Sequence, residues 1–478
     1  MLPKPFSWDR ADARAGRFDG KFIIGVLTTG IYCLPSCSAR QPKPENVRLF
    51  KAESDALAAG LRPCKRCRPD LYYRGEHVDI ALFDALAARV RAEPAVLPDA
   101  AALARACGVS QTKLGDLLRV HAHATPAAWL KREQVRAACR LLLDTDARVV
   151  DVGHAAGFES ESAFHRQFLS VTRMTPGAYR GLNGASVFML QLPTGYRARE
   201  ILAYQARDPS SPCERVRDDT IHKALAIDDD AAVLEISLEP QVAWCRVHSS
   251  AKLDGRRIQA VHSAALRVLG LTLDVAPFEA RAARDPRMAA LLARRRGLRM
   301  PLTPTGFEGL CWAIIGQQIN IAFASSLRRE LLALAGTPVG DMIAHPTAAR
   351  VAEVPPADLA RRRFSRSKAE YLIGAAQAVA GARLPIESLA DGSAVAAERD
   401  LKELHGVGTW TARYVLMRGA GFADCAPVGD VALAAALQKL TAAGERPGHD
   451  QVEALMRPFA PHRSLATLHL WASLKDAA

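Results

Sequence analysis

Leu404-His405-Gly406-Val407-Gly408-Thr409-Trp410-Thr411-Ala412 sets a Gly-x-Gly turn between two runs with helical apolar spacing. Glycines free the backbone to turn tightly, and they let amides at the start of the second helix come close to an anion. The stretch reads as a helix–hairpin–helix in which Gly406 and Gly408 face a DNA phosphate. A Gly-x-Gly turn alone is weak evidence, so its setting matters. Downstream, Pro427-Val428-Gly429-Asp430-Val431 places a carboxylate after a short loop.

Working outward, the chain has 478 residues and a net charge of +13. That length predicts about three domains. The charge favours a polyanionic partner, and it is uneven. Residues 1–74 carry 14 Lys and Arg against 7 Asp and Glu, whereas residues 75–184 are near balance. No apolar run is long enough for a membrane span, and Met1 to Arg10 lacks an apolar leader core. The expectation is a cytoplasmic protein whose thiols are reduced.

Three zones differ in pattern. Residues 1–74 are rich in Pro, Gly, Cys and Arg, with a β-like run at Lys21 to Leu27. Residues 78–182 are helical throughout. Residues 185–250 are strand-rich (Ser186 to Leu192, Ala232 to Leu238), and residues 256–478 are helical again. Boundaries are expected at Tyr73-Arg74-Gly75 and Gly181-Leu182-Asn183-Gly184.

In the first zone, Cys33-x3-Cys37 is followed after 26 residues by Cys64-x2-Cys67. Two close cysteine pairs match one tetrahedral zinc ion. In a zone this small and basic, metal would supply part of the folding energy. Spacing alone leaves a purely structural zinc module open. The flanks, Gly25 to Cys37 and Leu61-Arg62-Pro63-Cys64-Lys65-Arg66-Cys67, resemble the N-terminal domain of the Ada DNA-repair and response family over residues 5–74. The resemblance implies that Cys33 accepts a methyl group from a DNA methylphosphotriester. Zinc keeps thiols deprotonated, and the thiolate is the nucleophile. Four thiolates on Zn²⁺ leave a net double negative charge that repels phosphates, and methylating one sulfur halves it. The resemblance implies such a switch from repair to activation, with RNA polymerase as the partner in the activated state. Arg40, Lys43, Arg48, Lys65, Arg66 and Arg68 are candidates to hold phosphates.

In the middle zone, Ala100 to Cys107, Gly108-Val109-Ser110 and Gln111 to Val120 form a helix–turn–helix pattern. It recurs at Val149 to Phe158 and Glu159 to Leu169. With Thr175-Pro176-x-x-Tyr179-Arg180, this zone resembles the AraC-type DNA-binding domain, which reads successive major grooves with two helices. Gln111, Thr112 and Lys113 on one helix, and Ser160, Ser162 and Arg166 on the other, are the candidate DNA contacts. Leu114, Leu117, Phe164 and Phe168 are candidate core.

The last zone adds Phe307-x-x-Leu310-x-x-Ala313-Ile314-Ile315-Gly316-Gln317-Gln318 and Arg463-Ser464-x-Ala466-x-x-His469-Leu470-Trp471 to the hairpin and Asp430. From about Ser186 to Ser473 it resembles AlkA-type 3-methyladenine DNA glycosylases. The resemblance implies that a flipped base stacks on Trp410, Tyr414 and Trp471, whose electron-rich faces attract cationic alkylpurines. Asp430 then stabilises the oxocarbenium-like sugar and orients water, and it can also cap the helix that begins at Val431. Gln318 stands where the family carries an apolar wedge. Trp410 replaces the lysine of bifunctional relatives, so no lyase step is expected, and too few C-terminal cysteines remain for an iron–sulfur cluster. Pro212-Cys213-Glu214-Arg215-Val216 is similar to the Pro-Cys-His-Arg-Val motif of O6-alkylguanine methyltransferases, but Glu214 replaces the activating histidine, so Cys213 is read as structural.

The expected fold is multidomain α+β: a small zinc-bound α/β module, an all-α double helix–turn–helix, and a helix–hairpin–helix glycosylase with a strand-rich N-terminal part. The expected function is a monomeric activator and repair enzyme that acts on alkylated and promoter DNA. Two alternatives stay open in the sequence: a zinc-containing transcription factor with an inactive glycosylase half, and a repair enzyme without a regulatory role.

Overall fold

The computed structural model describes residues 18–37, 39–75, 77–228 and 230–477. Met1 to Arg10 therefore lies outside the described residues. The chain forms two compact units that divide between Leu82 and Phe83.

The first unit is built on a four-stranded sheet of β1 (Ile23–Val26), β2 (Ile31–Cys33), β3 (Val47–Phe50) and β4 (Arg62–Pro63), in the order β3-β1-β2-β4. Pairs β1/β2 and β1/β3 are antiparallel, while β2 and β4 run parallel, with Tyr32 opposite Pro63. The core is small: Ile23, Tyr32, Phe50, Ala56 and Leu61. So small a core leaves the unit dependent on a further stabilising element.

The second unit opens with the paired helix–turn–helix. Helices Ala100–Ala106 and Gln111–His121 flank a turn in which Gly108 has φ 64° and Ser110 caps the second helix through Lys113 N. Helices Val149–Ala155 and Glu161–Thr172 repeat the arrangement, capped by Ser160. The long helix Pro126–Asp144 joins them. Leu114, Leu117, Phe164 and Phe168 are buried, as their apolar spacing predicts.

A five-stranded antiparallel sheet follows: β5 (Val187–Gln191), β6 (Glu214–Arg217), β7 (Thr220–Ile227), β8 (Asp230–Leu238) and β9 (Val242–Ser249), in the order β5-β9-β8-β7-β6. The helix Ala198–Gln205 interrupts this strand-rich stretch, and a hairpin of β10 (Thr337–Val339) and β11 (Met342–Ala344) interrupts the helical remainder. The pattern of apolar residues predicts neither, because both are short.

The apolar core crosses the expected boundary at 181–184. Phe164, Phe168 and Tyr179 share one cluster with Phe188, Ile221, Ile236 and Val261. The first helix–turn–helix also meets the C-terminal half. His121 Nδ1 lies 2.6 Å from Ser393 Oγ, Arg136 pairs with Asp391 at 2.7 Å, and Asp424 N donates to His123 Nδ1. The sheet is tied to the helical half by a buried ion cluster. Arg328 grips Glu214 at 2.7 and 2.9 Å, and Lys223 bridges Glu214 and Glu308. Cys213 sits beside it, fully buried, with its thiol pushed up to about 11 by that burial. No helix among the described residues is long and apolar enough to cross a membrane.

Candidate functional site

Parallel pairing of β2 with β4 sets Cys33, at the end of one strand, near Cys64, just past the end of the other. Tight turns then return Cys37 and Cys67 to the same point: Cys37 N donates to Leu34 O, and Arg68 N to Cys64 O. All four sulfurs lie within 4.8 Å of one another, with Cys37 and Cys64 4.0 Å apart. Tetrahedral zinc with Zn–S bonds of about 2.3 Å requires sulfurs about 3.8 Å apart, so the donor set and its spacing fit that ion. Leu34 N donates to Cys67 Sγ at 3.4 Å, a bond suited to a thiolate. Without a cation the sulfurs share protons. Hydrogen bonding to Cys37 pushes the Cys33 thiol up, while Cys37 falls to about 2. A divalent ion at the centre is what lets all four ionise. Arg40, Lys43, Arg48, Lys65, Arg66 and Arg68 are exposed on the same unit. Arg68 already pairs with Asp70 at 2.9 Å, and Lys43 stands 3.9 Å from Glu45.

On the helix–turn–helix pair, Gln111, Thr112, Lys113, Ser160, Ser162 and Arg166 are exposed in or beside the first turns of the two second helices. Ser160 spends its side chain on Ala163 N.

In the C-terminal half, the helix Ala394–Lys402 leads through the Gly406–Gly408 turn into Thr409–Tyr414. Gly406 has φ 82°, and a Cβ there would lie 2.3 Å from the Tyr371 ring. Around Gly408 the space is open, and no side chain caps the helix it begins. The helix continues as a π turn, Val415–Ala420, a feature found often at functional sites.

This helix carries Trp410 and Tyr414 toward Asp430. Trp410 Nε1 donates to Asp430 Oδ2 at 3.2 Å, and Trp471 Nε1 to Oδ1 at 2.9 Å. Oδ1 also accepts from Leu433 N at 2.7 Å, so Asp430 caps the helix Val431–Thr441 as well. Tyr414 lies 5.4 Å from the Trp410 ring and 6.3 Å from the Trp471 ring. The structure therefore brings all four expected site residues together. It adds Trp312, whose indole N–H donates to Tyr414 Oη at 3.0 Å, and beyond it Arg207 and Tyr204. Trp312 sits in an otherwise apolar helix, Gly306–Ile315, where its spacing reads as core.

Gln318 is exposed, with φ 56°, in the turn after that helix. The turn is fixed from both sides. Lys368 Nζ donates to Ile315 O and Gln317 O at 2.9 and 2.7 Å, and Gln317 Nε2 donates to Gly406 O and Thr411 Oγ1. The wedge position and the hairpin are thus one hydrogen-bonded piece.

A hairpin with an aspartate behind it, an aromatic cluster over that aspartate and a five-stranded sheet before them define a base-excision DNA glycosylase domain. Family models match the chain in four stretches: the metal binding domain of Ada over residues 7–70, a helix-turn-helix domain over 103–181, the AlkA N-terminal domain over 187–304, and the HhH-GPD superfamily of base excision DNA repair proteins over 311–461. The chain belongs to the Ada–AlkA fusions, which join these parts in one polypeptide. It is 29% identical to a probable bifunctional transcriptional activator/DNA repair enzyme AlkA of Mycobacterium tuberculosis, over 97% of this chain and 95% of that one. It is 29% identical to a DNA-3-methyladenine glycosylase of Bacillus subtilis, over 60% of this chain and 97% of that one. In fold it is similar to the 3-methyladenine DNA-glycosylase of Archaeoglobus fulgidus, with a TM-score of 0.54 at 20% identity, over 60% of this chain and 97% of that one.

Proposed function

We propose that the chain excises alkylated bases such as 3-methyladenine at the Asp430 site, without a lyase step, and takes a methyl group from DNA methylphosphotriesters onto Cys33 in order to activate transcription. The observation that carries the first part is Asp430 itself. Two indole N–H groups and one backbone N–H hold its carboxylate at the edge of an aromatic cluster. A base stacked against Trp410, Tyr414 and Trp471 has its sugar near that carboxylate. As the glycosidic bond breaks, the sugar becomes cationic, and a fixed anion stabilises it without having to reorganise. Gly406 and Gly408 hold the backbone phosphate, and Gln318 enters the stack where the base has left.

At the metal site, bound zinc would keep the four sulfurs ionised at neutral pH. The Cys33 sulfur attacks the methyl carbon, the methyl–oxygen bond breaks, and its electron pair leaves on the phosphate as an ordinary phosphodiester. Loss of one negative charge at the cluster then favours DNA, with Arg40, Arg66 and Arg68 near the phosphates and the helices bearing Gln111, Thr112, Lys113, Ser160, Ser162 and Arg166 in the grooves. One zinc ion per chain and no iron–sulfur cluster complete the reading, with the protein acting as a monomer.

Incubation with DNA bearing labelled methylphosphotriesters tests the sensor. One label per chain, on Cys33 and absent from Cys33→Ser, is the expected result. Label elsewhere, or none, would leave the zinc purely structural. Equal promoter affinity before and after methylation would favour a repair enzyme without a regulatory role.

A further inference from the structure

Arg207 follows the helix Ala198–Gln205 of the strand-rich part, yet its guanidinium is laid against the aromatic cluster of the hairpin half. Its Cζ lies 4.0 Å from the Tyr204 ring centroid and 5.5 Å from that of Trp312, the ring hydrogen-bonded to Tyr414. Among the described residues no carboxylate pairs with it. Its one hydrogen bond is a long one, 3.4 Å to Tyr204 O, so most of its N–H donors are uncommitted. Arg418, buried, stacks 4.5 Å from the same Tyr204 ring and donates to its hydroxyl, which fixes that platform. Arg207 is reached by water, yet desolvation by its surroundings lowers its pKa, the condition of a group in an open cleft rather than on a convex surface.

We propose that Arg207 is a specificity-determining residue of the base pocket: it disfavours cationic bases and donates its free N–H groups to the acceptor edge of a neutral base bearing an oxo group or a ring nitrogen. This rests on the glycosylase reading of Asp430. The two classes of base leave differently. A cationic alkylpurine takes the electron pair of the C1′–N bond and departs neutral, needing no help. A neutral base that takes the same pair becomes an anion. A guanidinium donating to its edge stabilises that charge as it forms, while water adds to C1′ and its proton passes to the departing base. Conversely, a cationic base entering the cluster meets a face of Trp312 already engaged by Arg207 and a like charge beside it.

The test is single-turnover release of hypoxanthine (neutral, with an oxo acceptor) and of 7-methylguanine (cationic) from matched duplexes. Wild type, Arg207→Gln and Arg207→Lys are compared, with each variant's Tm as a folding control. Arg207→Gln should slow hypoxanthine release at least about tenfold and speed 7-methylguanine release, shifting the ratio toward the cationic base. Arg207→Lys, charged but without the planar fork, should shift the ratio less. Equal slowing of both bases would assign Arg207 to a phosphate contact or to packing and overturn the proposal. An unchanged ratio would do the same, as would a wild type that releases 7-methylguanine but no hypoxanthine. A wild type that releases neither base would remove the glycosylase reading itself.

Discussion

Asp430 has three donors, and they do different work. Leu433 N ties it to the helix it caps, while Trp410 and Trp471 aim its two oxygens from opposite ends of the sequence of the hairpin half. A Trp410→Phe variant keeps a ring for stacking but removes one of these N–H groups. It should cost roughly tenfold in single-turnover release of 3-methyladenine with Tm little changed, since a hydrogen bond to a charged group contributes about 1.5 kcal/mol or more. Unchanged release would make Trp410 a stacking platform only. At this scale the sequence is uneven. Asp430, Trp410, Tyr414 and Trp471 are legible because a motif surrounds each. Trp312 is not, because a tryptophan among Leu310, Cys311, Ala313 and Ile314 has the spacing of core. Arg207 reads as surface charge, and only the packing of a distant sheet segment against the hairpin half reveals its neighbours.

Elements are positioned by a few hydrogen bonds placed where helices end. Lys368 holds the carbonyls at the end of Gly306–Ile315, and Gln317 links the following turn to the hairpin. The hairpin's two glycines are unlike. Gly406 needs a left-handed backbone and the space of a missing Cβ, while Gly408 needs only an open approach. Gly406→Ala should therefore destabilise the fold by about 1–3 kcal/mol in denaturant titration. Gly408→Ala should leave stability nearly intact and weaken binding to abasic DNA, because its Cβ intrudes where the phosphate comes close. Equal effects of the two on stability would contradict this division. The long helices, the hairpin and strands β1, β5 and β8 are legible because their apolar periods are sustained. The helix Ala198–Gln205 and the β10–β11 hairpin are too short to carry a period, and tertiary packing decides them.

Across the second unit, the helix–turn–helix pair and the glycosylase half are not beads on a string. They share a core, and buried histidines sit within it. His262, His345 and His469 are 4%, 6% and 1% exposed, and burial lowers each to about 4 from an ordinary 6.5. Above pH 6.5 neither the folded nor the unfolded chain protonates them. Between 6.5 and 4 the unfolded chain takes up protons that the folded one refuses, so stability is lost as pH falls through that window, by at most about 3 kcal/mol per histidine. Calorimetry should show a falling Tm across it, and a flat Tm would contradict the burial. The zinc site and the order of domains are legible from spacing and motif. The shared core is not, because the Gly181-Leu182-Asn183-Gly184 stretch has the composition of a linker while Leu182 is buried. The account as a whole turns on the carboxylate behind the hairpin. Asn caps helices as well as Asp does, so Asp430→Asn isolates the charge. With Tm unchanged, it should abolish release of 3-methyladenine from alkylated duplex DNA, by roughly a hundredfold or more. Release at the wild-type rate from a folded Asp430→Asn chain would contradict it.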